Sequence, residues 1–76
     1  MKKIDYSKHI WEGWTVQAFI DELQPVFDMI MTGKSWQDKL ETRQQVKKWC
    51  MENQPYYKKY VPEVVDHFCL QYQINN

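Results

Sequence analysis

The residues able to do chemistry in this chain are few: Cys50, Cys69, His9, His67 and scattered carboxylates. A nucleophile needs an adjacent base, and that base needs a group to orient it. His67 and Cys69 stand two positions apart, which sets them on different sides of a helix. Cys69 also falls on an apolar stripe, where a thiol usually packs as a small hydrophobe. The two Cys and two His match zinc in number, but no pair has the close spacing of a structural site. With glycine only at positions 13 and 33, a phosphate-cradling loop has no material. The expectation is a protein that is not an enzyme and has no metal and no cofactor.

Binding chemistry is better represented. Ten basic and ten acidic residues cancel, so no global field draws the chain to nucleic acid or to a membrane surface. The neutral total hides a division. Residues 12–33 contain Glu12, Asp21, Glu22 and Asp28 and no base. Residues 34–59 carry Lys34, Lys39, Arg43, Lys47, Lys48, Lys58 and Lys59 against Asp38, Glu41 and Glu52. On a helix, Lys39, Arg43 and Lys47 form a ridge of like charge, each adjacent pair costing roughly 0.2–0.5 kcal/mol unless answered. The acidic side of the first helix, packed alongside, would answer it; so would an external acidic partner. The commoner arrangement is the internal one.

The same segment mixes large apolar side chains with the bases. On a helical wheel Arg43 and Lys47 share a side with Trp36, Leu40 and Cys50, while Val46 and Trp49 adjoin it. Long basic stems give such a mixture when they lie along the edge of a core. Interface hot spots have the same composition. Further on, Pro55 and Pro62 bracket Tyr56, Tyr57, Lys58, Lys59 and Tyr60. This stretch must be a connection. Its tyrosines either fold back onto the body or present a contact, as interface tyrosines do, or as Tyr and Lys do in single-strand binders.

Three helices after an N-terminal arm would position these residues. The first is expected over 16–32, with Thr15 as N-cap and Gly33 as the terminating glycine. Val16, Phe19, Ile20, Leu23, Val26, Phe27, Ile30 and Met31 fall on one side of it. Pro25 projects from the polar side, so it either bends this helix around its core or breaks it at Gln24. The second is expected over 36–53, opened by Ser35-x-x-Asp38, which resembles a capping box with a shorter acid. The third is expected over 62–74, started by Pro62, with Val61, Val64, Val65, Phe68, Cys69 and Tyr72 as its stripe. The arm, residues 1–14, carries Ile4, Tyr6, Ile10, Trp11 and Trp14 and reads as a lid, with Ser7 to Gly13 able to make one helical turn.

The expected fold is therefore all-α, a compact three-helix bundle in one domain of 76 residues. Four Trp, five Tyr and three Phe supply core area that so short a chain needs. No apolar run approaches the roughly 18 residues of a membrane span, and the start lacks the apolar region of a signal peptide. Two cysteines are too few for the disulfide framework of a small secreted domain, so reduced thiols and a cytoplasmic location are expected.

The expected function is a non-catalytic interaction module whose partner is another protein, a homodimer being compatible. Candidate contacts are Trp36, Lys39, Arg43, Lys47, Lys48, Trp49, Tyr56, Tyr57, Lys58, Lys59 and Tyr60. By size and composition alone, the analogy is with accessory or inhibitory proteins of phages and mobile elements. The alternative partner is nucleic acid, held by the second helix and the Tyr/Lys connection. Neutral charge weighs against it, because domains that bind phosphate backbones usually carry a basic excess.

Overall fold

The computed structural model describes residues 3–53 and 61–74. Among them are a short hairpin and three helices: β1 (His9–Trp11), β2 (Trp14–Thr15), α1 (Val16–Met31), α2 (Arg43–Asn53) and α3 (Pro62–Gln71). Each of the three expected helices is present, the first close to its expected bounds and the other two shorter than expected. The purely helical class does not hold, because the arm contains a two-stranded antiparallel sheet.

The expected helical turn over Ser7–Gly13 is replaced by this hairpin. Trp11 pairs with Trp14, and the pairing slips between His9 and Trp11. Gly13 has φ +70°, a left-handed conformation that glycine adopts without strain. Ile10 and Trp14 pack against the core, while Trp11 is exposed. The arm also serves α1 directly. The first-turn amides of Val16 and Gln17 donate to the carbonyls of Lys8 and Tyr6, both at 3.0 Å. Thr15 Oγ1 accepts from the Ala18 amide at 3.2 Å, so the N-cap is as expected.

α1 is continuous through Pro25, which lies inside the helix and faces solvent. It ends on Gly33 at φ +75°. The Gly33 amide donates to Ile30 (3.3 Å) and the Lys34 amide to Met29 (2.8 Å), the paired bonds of a Schellman motif. Because Pro25 withholds one bond from the Asp21 carbonyl, Pro25→Ala should restore it. We expect a gain of about 1–3 kcal/mol in denaturant unfolding. A loss of stability would mean that the proline's local geometry is required by the packing.

The second helix starts later than expected. Residues 36–42 are not helical, and α2 opens at Arg43. Its true cap is Thr42-x-x-Gln45. The Gln45 amide donates to Thr42 Oγ1 (3.2 Å), and the Thr42 amide donates back to Gln45 Oε1 (3.1 Å). That is the reciprocal capping box. Ser35 Oγ accepts instead from the Gln37 amide at 3.1 Å, a local turn. α3 stops at Gln71, short of the expected 74. Gln73 adopts φ 55°, and the Ile74 amide returns to the Cys69 carbonyl at 2.8 Å, a second Schellman closure.

α3 packs against both α1 and α2. Phe27 of α1 is the centre of the core: it stacks on Phe68 at 4.2 Å and 11°, meets Trp49 edge-on at 5.3 Å, and touches Tyr72 at 5.1 Å. Around these rings, Val16, Ile30, Val46, Val61, Val64 and Val65 are buried. Val26, placed by its spacing on the core stripe, is instead 49% exposed.

Candidate functional site

The segment between α1 and α2 runs from the Schellman turn to the capping box. Leu40 alone anchors it in the core, 6% exposed, while Trp36 stands 94% exposed. Side chains four apart on a helix share a face. One of this pair is in the core and the other in water, which fits the non-helical path. A groove of about 760 Å³ lies between this segment and the two helices. Val26 and Ile30 form its α1 wall, and Lys48 and Trp49 its α2 wall. Trp36 and Lys39 line it from the connecting segment.

Four of the expected contact residues, Trp36, Lys39, Lys48 and Trp49, therefore converge on one concavity. Trp49 contributes only an edge, being 8% exposed and packed on Phe27. Arg43 is directed elsewhere and pairs with Asp66 of α3. The internal answer to this charge thus comes from the third helix, not from the acidic side of the first. Lys47 is half-buried on α2 and does not line the groove. Tyr56, Tyr57, Lys58, Lys59 and Tyr60 lie outside the described residues. Sequence reading missed the α1 wall because an exposed valine on an apolar stripe looks identical to a buried one.

The groove carries both signs of charge. Asp38 and Glu52 line it along with Lys39 and Lys48. It is a mixed polar cleft with an indole at its rim, unlike the uniformly basic track that follows a phosphate backbone.

A second polar cluster ties the arm to α3. Lys8 Nζ pairs with Glu63 Oε2 at 2.6 Å. Tyr6 Oη and His67 Nδ1 are 3.0 Å apart, with the rings edge-on at 86°. His67 Nε2 lies 3.1 Å from Gln71 Oε1. A neutral imidazole protonated on Nε2 satisfies both bonds, donating to Gln71 and accepting from Tyr6. Burial pushes the His67 pKa down, partly opposed by the Gln71 bond and by Asp21. On the other side of α3, Tyr72 donates to Asp28, which also accepts from Gln24 at 2.9 Å.

Burial pushes the Cys50 thiol up to about 12, and Cys69 nearby adds to the effect. Cys69 is also raised by burial, with Arg43 working against the rise. These surroundings disfavour the thiolate that a cysteine nucleophile requires. Among the described residues no three His, Cys, Asp or Glu side chains gather as metal ligands, and no helix is long and apolar enough to cross a membrane. No family model, curated protein or solved structure matches this chain.

Proposed function

We propose that this protein is a non-catalytic interaction module that binds another protein through the groove between α1 and α2. One observation carries the reading: Trp36 is 94% exposed at the rim of that groove. Holding a full indole in water forgoes its burial, and tryptophan is the residue type most enriched among interface hot spots. Lys39 and Lys48 on one hand, and Asp38 and Glu52 on the other, supply the polar surround that excludes water from such an anchor. An accessory or inhibitory role in the cytoplasm fits a module of this size.

A photo-crosslinking residue placed at position 36 tests the reading. It should capture a discrete protein in the native host, and the same residue at exposed Leu70 should not. Trp36→Ala should abolish co-purification of that protein without changing the melting temperature. Titration with single-stranded DNA or RNA addresses the alternative. Tight binding whose salt slope falls by roughly 0.7–0.9 per lysine removed from Lys47, Lys48, Lys58 and Lys59 would transfer the function to nucleic acid.

A further inference from the structure

Resting on that protein-binding reading, we infer that one protein this surface binds is a second copy of this chain, in an antiparallel two-fold pairing of α1. Beside the groove, which Val26 lines, α1 presents Glu22, Val26 and Met29, all exposed and spaced four and three apart, so they form one ridge. Val26 and Met29 are each 49% exposed. Beyond the Schellman turn the chain continues into exposed Lys34, Trp36 and Lys39. The surface is thus acidic at one end and apolar in the middle, while the other end carries an indole and an excess of base, Lys34 and Lys39 against Asp38.

Such a polarity is self-complementary under a two-fold axis and under no parallel arrangement. An isologous contact pairs residue i with j and j with i. With the axis near Met29, the two Met29 side chains meet. Glu22 lies seven residues back, roughly 10 Å at about 1.5 Å per residue. The axis carries it to the far side of Met29 on the second copy, toward Lys34. Trp36 of each copy then covers the apolar middle of the other beside Val26. Net charge of zero leaves no long-range repulsion between copies.

Sedimentation velocity over a concentration series is the test. The mass should rise from the 9.4 kDa monomer toward twice that value. Trp36→Ala and Met29→Lys should hold the chain at monomer mass, with thermal unfolding unchanged at concentrations low enough that the parent is also a monomer. Glu22→Lys alone and Lys34→Glu alone should each weaken the dimer about tenfold, because each creates two like-charge pairs. An equimolar mixture of those two variants should associate again, since every pair across the heterodimer is then opposite in sign. A monomer at every concentration overturns the pairing. So does a dimer indifferent to Trp36→Ala and Met29→Lys, or a mixture that fails to recover. In each case, a crosslink from position 36 to a different protein would leave the protein-binding reading standing; absence of any crosslink would remove both.

Discussion

Phe27→Ala should lower the unfolding free energy by about 3–5 kcal/mol. The ring is fully buried and is in contact with Phe68, Trp49 and Tyr72, so three aromatic neighbours lose a partner together. A domain of this length has roughly 4–11 kcal/mol in total, on the usual scale of about 0.05–0.15 per residue. The variant should therefore be marginal at room temperature. Phe68→Ala should cost about as much, because it empties the other half of the same stacked pair. The double variant should lose less than the sum, since both single changes delete one shared contact. Denaturant titrations of the three proteins check this. Additive losses, or a Phe27→Ala protein with the parent's midpoint, would show that the stack is not the centre of the core.

Alkaline pH should unfold the protein through Cys50. Burial pushes its folded pKa up to about 12, above the thiol's ordinary 9.0. Folding therefore favours the neutral thiol. That contribution is complete below pH 9 and is lost as pH rises toward 12. At roughly 1.4 kcal/mol per pH unit, the loss approaches about 4 kcal/mol at the top of this window. Lysines and tyrosines titrate over the same range in any variant, so the informative quantity is a difference. Cys50→Ala should show a shallower decline of unfolding free energy with pH than the parent. Parallel curves would mean that the thiol is not held neutral by the fold.

Much of this structure is legible in the residues, and the exceptions have physical causes. The α1 stripe, its Thr15 cap and its Gly33 stop are all strong local signals, and each is where the pattern places it except Val26, which the stripe put in the core and the packing leaves exposed. The start of α2 is misread because two candidate boxes compete. Ser35-x-x-Asp38 offers an acid one methylene too short, while Thr42-x-x-Gln45 has the reach to close the reciprocal bonds. The hairpin escapes periodicity because its strands have three and two residues. Glu12-Gly13 between tryptophans was its one sign. At the candidate site, Trp36, Lys39, Lys48 and Trp49 are legible by type, but the groove joining them is not. It depends on a non-helical connection and on which shoulder of α1 stays uncovered. Both are outcomes of tertiary packing.

The position of α3 bears on how the chain is made. α3 is the helix against which both α1 and α2 pack, and Phe27 finds its stacking partner there. Roughly 40 residues separate the end of α1 from the end of α3. At about 5–20 residues per second, a ribosome needs around 2–8 s to deliver them. During that interval Phe27 is synthesised but lacks Phe68, the ring it stacks on. A nascent-chain chaperone would find its target there, and arrested chains ending before Phe68 should bind one more strongly than chains that have released α3.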